Sequence, residues 1–421
     1  MKKKIAIICA VVVFFLGAFY ADAQETILIK NGTIVPVVGK VITNGSLLIK
    51  DGIIVKIGTG IKATKKAKII DAKGMYVYPG MIGPLTAVGV TGYPGAGSDT
   101  DEIGVSTPHM DSYDAVNPED ECIEVTRIDG VTTVLTVSGT RSAINGKAVA
   151  LNLEGNLAED MVIKRDVVQI FNTGARARNG YPSTIPGVVS LIRDKLNQAK
   201  LYAEKKTKKE ESPKKFKYDL EMEALNQVLS RKVPALFITS DEVTIRNALY
   251  IIEEYNLKGI IFATAGILKF AEKLADKNIP VIWAGTTTMP QRWEAVDKYY
   301  HTAAVLAKKG VLFAFNESGR PGSRNVRRQP VPASLSVAYG LSEEEAIKAL
   351  TINPAKILSI DNQVGSLEKG KTANVIICTK SLVQLSSKIH MVIINGKIIP
   401  KASVQTRLRD KFKKIVQERK K

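Results

Sequence analysis

Pro79-Gly80-Met81-Ile82-Gly83-Pro84-Leu85-Thr86-Ala87 is the stretch on which the fold of this chain turns. It stands where one sequence pattern gives way to another. Upstream, Ile27 to Ile34 is a strand with an Asn-Gly turn signal at Asn31-Gly32, and Ser46 to Ile54 repeats the theme with Asp51-Gly52. Glycine there supplies the positive φ that a tight turn needs. Downstream, short apolar runs alternate with amphipathic helical segments, the pattern of β/α units around a parallel sheet or barrel.

The downstream runs are Thr132 to Val137, Val233 to Ile238, Gly259 to Ala263, Ile279 to Trp283 and Gly310 to Phe315. Helices are expected over about Val243 to Tyr255, Lys269 to Asp276 and Trp293 to Lys308. Their recurrence suits a TIM-type barrel. Near the other end, Ala373 to Cys378 and Met391 to Lys397 return to the short β pattern, and these terminal pieces are expected to pair with the first hairpins. The expected architecture is therefore α/β, a TIM-type (β/α)8 barrel over 78–359 with a composite β-sandwich built from 24–77 and 360–400. A charged, helix-prone insertion at about 192–228, interrupted by Glu211-Ser212-Pro213, reads as solvent-facing, with a docking arm as the alternative. Residues 401–421 form a basic tail.

Lys2-Lys3-Lys4, an apolar run from Ile5 to Phe19 and Ala21-Asp22-Ala23 before Gln24 read as a signal peptide spanning 1–23, which makes the protein periplasmic or otherwise exported. The alternative is a membrane anchor, disfavoured because the run is shorter than the ~20 residues that span a bilayer. No membrane span is expected after cleavage. Removing three Lys and one Asp lowers the formal charge from +19 to +17. The excess sits largely in Lys205 to Lys217 and in the tail. Each stretch sets a single aromatic, Phe216 or Phe412, among its charges, and both read as solvated or membrane-surface-facing, with no nucleic-acid partner expected. Cys122 and Cys378 lack metal-ligand spacing; one disulfide between them is permitted and not implied.

The opening stretch closely resembles the Pro-Gly-hydrophobic-Ile-Asp-x-His-x-His strand of the amidohydrolase superfamily. Asp129-Gly130-Val131-Thr132-Thr133-Val134 resembles the family's Gly-x-Thr-Thr strand. Gly340 to Ala346 with Thr351-Ile352-Asn353-Pro354-Ala355 resembles its last barrel helix, and Val364 to Asn374 the return into the β-domain. Four such motifs in order cover nearly the whole chain, and the branch they most resemble is the imidazolonepropionase-related, exported amidohydrolases.

In active relatives the resemblance implies His from the first strand, further His at the fifth and sixth strand ends, an Asp at the eighth and sometimes a bridging carbamylated Lys or a Glu. These hold Zn or another divalent metal, which lowers the pKa of a bound water and polarises the scissile carbonyl. Here Leu85 and Ala87 stand at the first-strand positions. The fifth falls near Ile238 or Thr239, the sixth near Ala263, the eighth in Asn316-Glu317 and the fourth around Gln169. The chain has three His, at 109, 301 and 390: in a loop, inside a helix and in the C-terminal β-domain. No family-type metal centre can be built from them, so no metal cofactor is expected.

Other catalytic arrangements find little support. No Gly-x-Ser-x-Gly elbow is present. Weak catalytic candidates are Glu317 and Asp241, which strand ends would bring to one mouth, although Asp241 reads first as a helix cap. Thr86, Thr239 and Asn316 are candidate ligand-binding groups, with Arg320 and Arg324 from the cluster that also holds Arg327 and Arg328. That cluster reads as an anion site, a solvated rim or a subunit contact. Gly95, Gly97 and the segment to Asp114 look like a lid. Two functions stay open: a non-catalytic family member that binds a small molecule or pairs with a catalytic paralogue, and a hydrolase of C–N bonds using Glu317 and Asp241. A homo-oligomer is the default expectation.

Overall fold

The computed structural model describes residues 26–63, 65–91, 100, 104–175, 180–209, 216–289, 295, 297–317 and 324–419. The expected signal peptide, Arg320 and the glycines of the expected lid lie outside the described residues.

Near the start of the chain come β1 (Ile27–Ile34), β2 (Ile42–Lys50), β3 (Ile53–Gly58), β4 (Lys68–Asp71) and β5 (Tyr76–Pro79). The barrel region carries β6 (Met81–Thr86), β7 (Val131–Thr136), β8 (Ile144–Lys147), β9 (Val149–Asn152), β10 (Val162–Lys164), β11 (Gln169–Asn172), β12 (Ala235–Thr239), β13 (Gly259–Ala263), β14 (Val281–Trp283) and β15 (Phe313–Phe315). Then follow β16 (Val375–Cys378), β17 (Ile389–Ile394) and β18 (Lys397–Ile398). The α-helices are α1 (Glu121–Arg127), α2 (Ala158–Met161), α3 (Ile185–Lys209), α4 (Leu220–Leu229), α5 (Glu242–Glu254), α6 (Ala271–Asp276), α7 (Thr302–Lys308), α8 (Pro330–Ala338), α9 (Glu343–Leu350), α10 (Ile352–Ile357) and α11 (Val404–Glu418).

Both ends of the chain build one eight-stranded sheet, ordered β18-β17-β16-β5-β1-β2-β3 with β4 on β1. It folds over a core of Ile27, Ile29, Leu47, Ile49, Val77, Val375 and Ile393. Residues 370–373 return to hydrogen-bond with Gly52 and Ile54 beside the far edge. Asp51-Gly52 is the expected tight turn, both residues at positive φ, and Asn395-Gly396 makes a second one. The two turns pack so closely that a Cβ on Gly396 would lie 2.6 Å from the Cα of Gly52. Asn31-Gly32, in contrast, is not a turn. With Asn31 at φ 62° it is an irregularity inside β1, where the parallel partner changes from β4 to β5.

The barrel wall forms two arcs, β10-β9-β7-β6 and β15-β14-β13-β12-β11-β8. Strands β11 to β15 run parallel, as do β6 and β7. The third stave differs from a regular (β/α)8 wall. Residues 144–152 run antiparallel to both neighbours, β8 against β11 and β9 against β7, with Ala148 bonded to Val167 and Val168 between them. At the other seam, the buried Gln329 amide donates to the carbonyls of Ile82 on β6 and Phe315 on β15 at 3.1 and 3.4 Å. A side chain thus joins the first and last staves.

Strand alternation separates two cores. Ile82, Leu85, Leu135, Ile170, Leu236, Ile238, Ile260, Phe262, Ile282 and Ala314 fill the barrel, together with Ile352 and Ala355 of α10. Phe171, Phe237, Ile261, Trp283 and Phe313 face the surrounding helices. The expected solvent-facing insertion is only partly that. α3 begins at Ile185 and buries Val188, Ile192, Leu196, Ala199 and Tyr202 against the helix layer, because apolar residues recur on one face over its first turns. Of the helix expected from Trp293, residues 297–301 form turns and α7 runs from Thr302; residues 290–294 and 296 lie outside the described residues.

Candidate functional site

The parallel strands deliver their C-terminal ends to one mouth, where Thr86, Thr136, Asn172, Thr239, Ala263, Asn316 and Glu317 end or follow β6, β7, β11, β12, β13 and β15. The fourth-strand position therefore belongs to Asn172 and Thr173. Gln169, expected there, opens β11 and donates its amide to the carbonyl of Asn145.

Most polar groups at this mouth hold the backbone together. Thr86 Oγ1 accepts from Val88 N at 3.2 Å, and Thr136 donates to the Val88 carbonyl at 2.7 Å. Thr239 donates to the Phe262 carbonyl at 2.8 Å, tying β12 to β13. Thr173 donates to the Thr244 carbonyl at 3.0 Å, and Thr287 to that of Glu317 at 2.9 Å. A hydroxyl so engaged is a brace first, since each net hydrogen bond contributes on the order of 1 kcal/mol to stability.

The two carboxylate candidates are not equivalent. Asp241 caps α5, accepting from Thr244 N at 2.9 Å while Thr244 Oγ1 accepts from Asp241 N, and its other oxygen accepts from Ser240 Oγ at 3.1 Å. It is committed to the helix terminus, where anionic caps are favoured. Glu317 is 7% exposed at the eighth strand end, with the exposed Arg328 guanidinium 4.0 Å away.

The Arg cluster disperses. Arg328 faces Glu317, Arg327 lies 3.8 Å from Asp129 before β7, and Arg324 is exposed near Cys122 on α1. These three do not form one forked cradle. Cys122 and Cys378 are both free thiols, each pushed above the ordinary range by burial, Cys378 up to about 12.

One buried carboxylate escaped the sequence reading. Asp120, 1% exposed, caps α1 through Cys122 N and accepts from Gly89 N at 2.7 Å and Thr91 Oγ1 at 2.8 Å. It fixes the turn after β6 and so the course of the chain beyond Thr86. The Asp before a helical run is a cap signal; the long-range bonds leave no trace in sequence.

The donor set does not fit a divalent ion of the family type. Leu85 is fully buried in the apolar barrel core, and Ala87 is 4% exposed. His109 is exposed before a 3-10 turn, His390 is exposed on β17, and His301 stands just ahead of α7, edge-on to Tyr339. None is at the mouth. Among the described residues no three His, Cys, Asp or Glu side chains come together.

The profile of the amidohydrolase family matches residues 308–399, from α7 through β18. The chain is 23% identical to an imidazolonepropionase of Thermoanaerobacter pseudethanolicus, over 80% of this chain and 84% of that one. It is 24% identical to an imidazolonepropionase of Brevibacillus brevis, over 84% of this chain and 90% of that one. Among solved structures, an amidohydrolase from Thermotoga maritima superposes with a TM-score of 0.81 at 29% identity, covering 89% of this chain and all of the other.

Proposed function

Starting from the fact that this chain belongs to the amidohydrolase superfamily as an imidazolonepropionase-like member, we propose that it is an exported, non-catalytic representative, acting as a ligand-binding or partner subunit. What supports this is Leu85, packed into the barrel interior where the resemblance implies a metal-binding His. An apolar wall there disfavours an ion, because burying charge without paired donors is costly. Exposed His109, His301 and His390 lie elsewhere, and Asp241 is occupied as a cap.

Export rests on the tripartite pattern of residues 1–23, a basic start, an apolar run and small residues before Gln24. A small-molecule ligand would meet braced hydroxyls, the Asn316 amide and the Glu317 carboxylate at the mouth. A catalytic paralogue or a second copy would use the outer surface.

The test is a panel of imidazolones, other cyclic amides and dipeptides, assayed with added zinc or manganese. No turnover above buffer is expected. Metal-dependent turnover that disappears in Glu317→Ala, with folding intact, would overturn the reading in favour of a C–N hydrolase with unorthodox ligands.

A further inference from the structure

We propose that α11 is a docking helix for an anionic lipid surface. The inference stands apart from the barrel chemistry. Residues 401–421 hold nine Lys and Arg against Asp410 and Glu418. Over Val404–Glu418, Leu408, Phe412 and Val416 recur at intervals of four, so one face of the helix is apolar. Val404 and Ile415 extend the same stripe.

The stripe is uncovered at Leu408, Phe412 and Val416, while Val404 and Ile415 are half-buried. No residue of α11 is buried. Leu408, Phe412 and Val416 are 46%, 58% and 52% exposed. The helix is held to the body at its first turn. There Val404 N and Arg407 donate to the carboxylate of Glu124 on α1, at 3.1 and 2.8 Å, while Ser403 and Thr406 form a reciprocal cap. Arg407 lies about 100° around the helix from Leu408, so the anchor turns the stripe away from the barrel. Among the described residues no helix is long and apolar enough to cross a membrane, and a helix of about 22 Å with this charge lies on a surface instead.

Charge selects the occupant. Arg409 and Lys411 border the stripe at either side, and their stems can lie along apolar material while the charged ends reach anionic headgroups. A second copy of the helix would bring like charges against these flanks. A nucleic acid would satisfy the cations and leave Phe412 and Leu408 in water. An anionic bilayer satisfies both faces, the acyl boundary taking the stripe and the surface potential the cations.

The experiment is co-sedimentation of the full chain with vesicles containing about one-third phosphatidylglycerol, against neutral phosphatidylcholine vesicles and at rising salt. Binding is expected to anionic vesicles only, to weaken with salt, and to fall about tenfold or more in the double variant Leu408→Asp, Phe412→Asp. Since no α11 side chain is buried, the variant should keep the parent melting temperature, which separates lost docking from lost folding. Absent vesicle binding, or binding unchanged in the variant, overturns the proposal. So does self-association abolished by the variant without vesicle binding, or equally tight capture of duplex DNA by parent and variant.

Discussion

The seam between the barrel and the composite sheet and the mouth of the barrel use polar side chains in opposite ways. At the seam, Asn374 donates to Asn152 Oδ1 at 2.7 Å and Thr133 Oγ1 at 3.1 Å, accepts from Asn395 N at 3.0 Å, and Asn152 donates onward to Asn395 Oδ1. Side chain meets side chain there, in a buried and reciprocal network. At the mouth, Thr86, Thr136 and Thr239 bond single backbone groups, and Leu85 fills the space below. Polar side chains thus join the two domains through one another, while at the mouth they brace single backbone groups above an apolar barrel core.

The comparison breaks first at Gly80, whose N–H donates to the Asn374 carbonyl at 2.9 Å. A Cβ on Gly80 would come within 2.0 Å of Thr132 Oγ1. Gly80→Ala is expected to cost about 3 kcal/mol or more through overpacking, read as a collapse of the chemical-denaturation midpoint. Next, Asn374→Leu strands the Asn395 N–H and leaves Asn152 Oδ1 with only the bond from Thr133 Oγ1. About 2–3 kcal/mol should be lost, and a double cycle with Asn152→Leu should show strong coupling. Equal and additive effects at seam and mouth would dissolve the distinction.

Alkaline stability sharpens it. Tyr78, 1% exposed on β5, has its phenol pushed up to about 12 by burial, from an ordinary 10.0. Because the folded form holds the proton more tightly than the unfolded one, its contribution is full below pH 10 and is lost as pH rises toward 12. Melting temperature should fall over that window, and Tyr78→Phe should flatten the fall; an unchanged slope would refute the assignment. The smallest effect belongs to the mouth. Asp241→Ala should cost about 1 kcal/mol as a lost cap and leave any ligand affinity unchanged, whereas a large affinity loss would make Asp241 a site residue.

What the sequence made legible follows from local physics. Pro79 to Ala87, the runs at Val131 and Val281, and the Asp-Gly turn at Asp51 are read from apolar periodicity and positive-φ chemistry, which neighbours in sequence determine. Asp241 was legible as a cap for the same reason. Asn31-Gly32 misled because positive φ serves a strand irregularity as well as a turn. The antiparallel third stave was not read, since a short apolar run does not announce its direction. Gln329 closing the barrel and Asp120 holding the segment after β6 depend on partners distant along the chain. The apolar face of α3 was present at Val188, Ile192, Leu196 and Ala199, but the following lysines drew the reading toward solvent.

The central claim, that the barrel mouth has no grip on a divalent ion, is tested most directly by the metal content of untagged protein purified without chelator and then equilibrated with zinc. The account predicts substoichiometric metal with no saturable site. One equivalent of bound zinc per chain, lost in Glu317→Ala while the fold is retained, would contradict it.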